Sequence, residues 1–124
     1  MAQQQQLGGT GLRGPFPLVS DSIEEEIVDH CPGAYALGFI DNRGRFAITF
    51  VGSAGDDLKS KLKAHIGTAP QFKFRHFEHQ SQAFEKECEM FHQFVPGGNF
   101  LHPSRPPGTN WTCPKCRGPI GGRP

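Results

Sequence analysis

The segment from residue 33 to residue 65 constrains the fold more than any other part of the chain. Two apolar stretches rich in aromatic and β-branched side chains, residues 34–40 and 45–51, flank the tetrapeptide Asp-Asn-Arg-Gly. Aspartate, asparagine and glycine tolerate the positive φ angles of tight turns, so this pattern predicts a β-hairpin. Directly afterwards, Leu58 and Leu62 recur at i,i+4 behind an Asp-Asp pair. That spacing predicts a short amphipathic helix with little chain between it and the hairpin.

Two more elements are predicted downstream and one upstream. In QFKFRHFEH, residues 71–79, phenylalanines alternate with basic residues, which predicts a third strand with an aromatic inner face and a basic outer face. Residues 81–94 place their apolar side chains on one broad side and therefore predict an amphipathic helix. The acidic run SDSIEEEIVDH predicts a further short helix before the hairpin. The fold class expected is α+β, with a small three-stranded antiparallel sheet flanked by helices.

Composition divides the chain of 124 residues into three parts. Residues 1–19 are rich in Gln, Gly and Pro and predict a flexible N-terminal arm, residues 20–102 form the α/β domain, and residues 103–124 form a Pro/Gly-rich tail. The arm has no apolar run suited to a signal peptide or a membrane helix, so we expect a cytoplasmic protein without a membrane partner. A net charge of +1 means that nucleic-acid binding would depend on a local basic surface.

The cysteines suggest a structural metal site. There are four: Cys31, Cys88, Cys113 and Cys116. Reduced thiols are expected in the cytoplasm, and the Cys-Pro-Lys-Cys spacing suits two ligands of one tetrahedral zinc. Cys88 and His92 are spaced i,i+4 on the predicted helix, so they can complete a Cys₃His site that docks the tail onto that helix. His102 is an alternative for Cys88 or His92, Cys31 is a further candidate, and unligated thiols or a redox pair remain open.

A resemblance to a known family rests on four ordered features. Gly33-Ala34-Tyr35 opens the first strand of the hairpin, Phe50-Val51-Gly52 lies in the second, DLKSKLKAH forms the helix, and Glu87 follows on the later helix. Together these resemble the GIY-YIG nuclease domain over roughly residues 22 to 102, with GAY and FVG in place of the two signature tripeptides. The resemblance implies a small antiparallel sheet flanked by helices, in agreement with the pattern of apolar residues.

The resemblance also implies a chemistry and a set of site residues. The chemistry is metal-dependent endonucleolytic hydrolysis of a nucleic-acid phosphodiester, with DNA as the expected substrate and Mg²⁺ or Mn²⁺ as the catalytic ion. Glu87 is implied as the metal ligand, with Glu85 as the other candidate. Tyr35 is implied to help activate water, Lys61 to neutralise developing charge, and His65 to transfer a proton or contact the phosphate.

Two departures from the family pattern open an alternative function. Phe50 replaces a tyrosine and has no hydroxyl, and Lys61 replaces an arginine and cannot form a bidentate fork on phosphate. The alternative is a catalytically inactive, zinc-stabilised module of the same fold that binds nucleic acid or a protein partner. The basic residues expected to contact nucleic acid are Lys59, Lys63, Lys73 and Arg75.

Overall fold

A computed structural model describes residues 11–94 of the chain. Its elements, in chain order, are β1 (Arg13–Pro17), α1 (Ser20–Glu26), β2 (Gly33–Ile40), β3 (Phe46–Ala54), α2 (Leu58–Ala64), β4 (Gln71–His76) and α3 (Gln80–Phe94). The predicted α+β class is confirmed, and the predicted elements all occur within a few residues of their expected bounds. The tail of residues 103–124 and the first ten residues lie outside the described range.

The sheet has four strands in the order β1-β4-β2-β3, and every neighbouring pair is antiparallel. β2 and β3 form the predicted hairpin. Asp41 holds its turn, because its carboxylate oxygen Oδ1 accepts hydrogen bonds from the backbone N–H groups of Arg43 and Arg45, both at 2.9 Å. Gly44 supplies the positive φ of 81° that the turn requires. The hairpin therefore follows directly from its turn residues.

The prediction of three strands is wrong, because part of the predicted flexible arm forms a fourth. β1 pairs with β4, with Arg13 opposite Phe74 and Phe16 opposite Phe72. The ring of Phe16 lies 5.7 Å from that of Phe72, measured between centroids. β1 contains two prolines and a glycine, residues that an edge strand tolerates but that hide the alternation of a typical strand. The pairing of β1 with β4 and the contact of Phe16 with Phe72 join residues distant in sequence, so no local pattern predicts this strand.

The helices cover both faces of the sheet. α1 and α2 lie on one face, where a buried cluster joins them to β2 and β4; it contains Leu18, Ile23, Ile27, Tyr35, Leu37, Ala54, Leu58, Leu62, Phe72 and Phe74. α3 lies on the other face, over a second cluster of Leu12, Ala34, Ala36, Val51 and Met90. Because both faces are covered, alternate residues of β2 enter different cores, and six consecutive residues from Gly33 are buried.

The same arrangement corrects the expectation of a basic outer face on β4. Lys73 is only 4% exposed, because it lies opposite Ala36 on the face that α3 covers. Its ammonium nitrogen lies 5.1 Å from the centre of the Phe46 ring. Within residues 11–94 no helix is long and apolar enough to cross a membrane.

Candidate active site

A pocket of about 360 Å³ opens beside edge strand β3, between α2 and α3. The residues that line it are Tyr35, Phe50, Gly52, Ser53, Ala54, Gly55, Lys61, Gln80, Phe84 and Glu87. Phe50 and Ala54 point to the α1/α2 face of β3, whereas Ser53 contacts α3 on the other face. The pocket therefore draws side chains from both faces of the sheet at its edge.

Gly52 brings the phenol of Tyr35 to this edge. The two residues are cross-strand partners on β2 and β3. A Cβ atom at position 52 would lie 2.5 Å from Tyr35 Cζ and would overlap the hydroxyl as well. Only glycine leaves room for the ring in its present position. The pairing of a glycine in one strand with a tyrosine in the next is therefore a steric requirement of the pocket.

His65 fixes the Tyr35 hydroxyl from the carboxy-terminal end of α2. Tyr35 Oη and His65 Nε2 are 2.9 Å apart. Burial lowers the pKa of His65, and the charge of Lys61 lowers it further, so the neutral imidazole is favoured. In the tautomer with its proton on Nδ1, Nε2 accepts from the tyrosine. Burial raises the pKa of Tyr35, and the Glu87 carboxylate raises it further. At neutral pH the pair is therefore a neutral phenol hydrogen-bonded to a neutral imidazole.

Glu87 reaches the pocket from α3. The hydroxyl of Ser53 donates a hydrogen bond to Glu87 Oε1, with an oxygen-to-oxygen distance of 2.6 Å. Burial raises the pKa of Glu87, while the Ser53 hydrogen bond and the charge of Lys61 act in the opposite direction. Glu85, the other candidate ligand, is exposed and does not line the pocket. The geometry thus favours Glu87 over Glu85 as the candidate ligand, a choice that the sequence left open.

Lys61 and Phe50 complete the wall on the α2 side. Lys61 is exposed, lines the pocket and influences the titration of both His65 and Glu87. The Phe50 ring lies 5.0 Å from the His65 ring and 6.3 Å from the Tyr35 ring, measured between centroids. The Phe50 ring therefore lies beside both members of the Tyr35–His65 pair.

All four residues predicted to be catalytic meet at this pocket. Tyr35, Lys61 and Glu87 line it, and His65 contacts it through the tyrosine. Sequence reasoning missed Ser53, which is part of the same wall. Strand alternation predicts that a serine following Gly52 faces away from Phe50, but the helix that covers that face is known only from the tertiary structure.

The predicted zinc ligands are only partly within the described range. Cys88 is fully buried on α3, and His92, one turn later, is exposed. Cys113, Cys116 and His102 lie outside the described residues. Within the described part of the chain, no group of three or more His, Cys, Asp or Glu side chains is arranged to hold a metal. The Cys₃His site therefore stays a prediction.

The predicted nucleic-acid contacts are divided among different environments. Lys59 forms ion pairs with Asp29 at 2.6 Å and Glu24 at 3.1 Å, and Lys63 also pairs with Glu24. Lys73 is buried, as described above. Arg75 is exposed, with its guanidinium carbon 5.0 Å from the centre of the Phe77 ring. These four residues therefore do not form one continuous basic surface, because α1 supplies carboxylates to the lysines of α2.

The donor set of the pocket suits a hard divalent cation. Glu87 is the acidic residue of the lining, and the hydroxyls of Ser53 and Tyr35 lie nearby. Mg²⁺ is commonly held by one or two carboxylates, with water and substrate phosphates filling its remaining positions. One partly buried carboxylate in an open pocket fits that mode of binding.

The sequence matches no protein-family model, and no curated protein and no solved structure matches it either.

Proposed function

We propose that this protein is a divergent GIY-YIG-like, metal-dependent endonuclease that hydrolyses nucleic-acid phosphodiesters. The observation that carries the proposal is the convergence of Tyr35, Lys61 and Glu87 on one pocket, with His65 hydrogen-bonded to the tyrosine. These side chains come from β2, α2 and α3, so their meeting depends on the whole fold. A carboxylate can hold a metal ion, a cation can stabilise developing charge, and a phenol–imidazole pair can transfer a proton, and each of these assists phosphodiester hydrolysis.

Each residue has a distinct part in the proposed reaction. A bound Mg²⁺ or Mn²⁺ supplies Lewis acidity and neutralises charge on the phosphate. Glu87 would hold this ion through its carboxylate. Lys61, exposed at the rim, would attract the phosphate and offset the negative charge that develops on it. The Tyr35 oxygen would accept a hydrogen bond from the attacking water while its own proton is held by His65, so that a proton can pass through the phenol to the imidazole.

A second candidate function is a catalytically inactive module that binds nucleic acid or a protein partner. The observation that favours it is the Phe50 ring, which packs beside both Tyr35 and His65 without offering a hydroxyl. Removing one precisely placed polar group from a hydrolytic site typically costs about 10²–10³ in rate. The dispersed basic residues favour a protein partner over nucleic acid within this alternative.

Incubation with labelled duplex, branched and single-stranded DNA, in Mg²⁺, Mn²⁺ or EDTA, tests the proposal. We expect metal-dependent cleavage by the wild type and none by Glu87→Ala, because that variant lacks the proposed ligand. Glu85→Ala is the matched control: it removes an exposed glutamate from the same helix and should cleave normally. Equal cleavage by Glu87→Ala and the wild type, or no cleavage of any substrate by the wild type, would reject the nuclease.

The zinc site and the location in the cell are part of the same proposal. A structural zinc on Cys88, His92, Cys113 and Cys116 would connect the tail to α3, and the cytoplasm would keep these thiols reduced. Metal analysis of the purified protein should find one zinc per chain, and Cys113→Ser with Cys116→Ser should remove it. Cell fractionation checks the cytoplasmic location.

A further inference from the structure

Ser53 contacts the proposed metal ligand directly but has no role in the chemistry described so far. Its Oγ lies 2.6 Å from Glu87 Oε1, a distance typical of a strong hydrogen bond from a hydroxyl to a charged carboxylate. Lys61 influences the same carboxylate through its charge, whereas Ser53 restricts its position. The contact spans 34 positions of sequence and joins the edge strand to α3.

We propose that Ser53 is the positioning residue for Glu87: by holding Oε1, it orients the carboxylate so that Oε2 is left to bind a divalent cation. This role rests on the proposed function and refines it. A carboxylate has about four acceptor positions, so one hydrogen bond to Oε1 leaves the second oxygen available.

The two side chains differ in how firmly each is anchored. Ser53 is short and lies on β3, whose backbone at this position pairs with Ala34 of the central strand β2. Glu87 has three rotatable side-chain bonds and loses much of its freedom when it is held in one orientation. A rigid hydroxyl that restrains a mobile ligand is the usual arrangement behind a metal site, and loss of such a partner commonly lowers metal affinity about 10–100-fold.

Mn²⁺ binding to the protein without nucleic acid is the first test. Titration calorimetry would compare the wild type with Ser53→Ala, Ser53→Thr and Glu87→Gln. We expect about tenfold weaker binding for Ser53→Ala. Ser53→Thr should bind as the wild type does, because threonine keeps the hydroxyl and suits a strand. Glu87→Gln should lose binding.

A kinetic readout separates positioning from a general structural defect. The Mg²⁺ concentration that gives half-maximal cleavage should rise for Ser53→Ala, while KM for the nucleic acid stays constant and excess Mg²⁺ restores the rate. A loss of rate that Mg²⁺ cannot restore would overturn the positioning role.

The outcomes also distinguish this role from the function on which it rests. Wild-type Mn²⁺ affinity in Ser53→Ala, with binding lost in Glu87→Gln, would overturn the role of Ser53 alone. Unchanged binding in Glu87→Gln, or no binding by the wild type, would overturn both. If Ser53→Ala fails to fold, weakened binding in a folded Ser53→Thr would be decisive against the proposal.

Discussion

Tyr35 Oη lies 2.9 Å from His65 Nε2, and this hydrogen bond ties the central strand to the carboxy-terminal end of α2. Burial and the charge of Lys61 lower the pKa of His65 and keep its imidazole neutral. In the tautomer with its proton on Nδ1, Nε2 accepts from the phenol. The same contact thus connects packing, protonation and the proposed proton transfer.

The first prediction concerns the pH dependence of stability. The pKa of His65 is lower in the folded chain than its ordinary value of 6.5, so the unfolded chain binds the proton more readily. The stabilisation is therefore fully present above pH 6.5 and is lost as the pH falls through the lower pKa of the folded state. Urea unfolding at a series of pH values should show His65→Gln to be less sensitive to acid than the wild type.

His79→Gln is the control, since His79 is exposed just before α3. It should keep the acid sensitivity of the wild type. Parallel pH profiles for the wild type and His65→Gln would show that the imidazole is not held neutral.

The second prediction concerns the requirement for glycine at position 52. Gly52→Ala places a methyl group against the ring of Tyr35, and overpacking of this kind typically costs about 1–3 kcal/mol. Tyr35 is the one tyrosine of the chain, so phenolate absorbance reports on it alone. We expect lower stability in urea and, because the displaced phenol gains solvent, a tyrosine pKa closer to the ordinary value of 10.0.

The matched control for this change is Gly55→Ala. Its new methyl group would meet only the flexible end of the Gln80 side chain, which can move away. An unchanged tyrosine titration in Gly52→Ala would mean that the phenol does not depend on the missing side chain.

The third prediction concerns the buried charge of Lys73. Burial lowers the pKa of this lysine, and an aromatic ring offsets only part of the lost hydration. Lys73→Met keeps the apolar stem and removes the ammonium, so we expect the free energy of unfolding to rise by about 1 kcal/mol in urea denaturation. Arg43→Met removes an equal charge from the exposed turn and should bring no such gain. A clear loss of stability in Lys73→Met alone would show that the ammonium is well solvated or paired.

Local patterns predicted most of the core of this fold. The turn residues Asp41 and Gly44 indicated the hairpin, and the i,i+4 pair Leu58 and Leu62, both fully buried, indicated α2. These features follow from backbone geometry and from burial of one helix face, which are encoded within a few residues. Strand β1 was missed because its prolines and glycine show no alternation of apolar and polar residues. It is stabilised by contacts with Phe72 and Phe74 on β4, which is adjacent in space but distant in sequence.

The candidate site was predictable in its residues but not in its contacts. Motif order indicated Tyr35, Lys61, His65 and Glu87, and the fold brings them together. Ser53 could not be assigned as a partner of Glu87 without knowing that α3 packs against β3. The ion pair between Lys59 and Glu24 likewise could not be predicted from the sequence, because it depends on where α1 lies against α2.

The last prediction concerns Phe50, which separates the two candidate functions. Phe50 lines the pocket, so Phe50→Tyr would add a hydroxyl to the pocket wall beside Tyr35 and His65. A further group able to orient water or carry a proton should raise the cleavage rate by about tenfold to a hundredfold. Single-turnover cleavage at saturating Mg²⁺ measures this rate, and Phe50→Leu, which changes the ring without adding a hydroxyl, should show no gain.

If the wild type shows no cleavage and Phe50→Tyr cleaves, the chain has an inactive site that lacks one functional group. Because Lys61→Arg adds the bidentate phosphate contact, its combination with Phe50→Tyr is the most sensitive form of the experiment. Absence of cleavage by that double variant, with the fold intact, would mean that the pocket does not perform phosphodiester hydrolysis. The convergence of Tyr35, Lys61 and Glu87 would then serve binding alone.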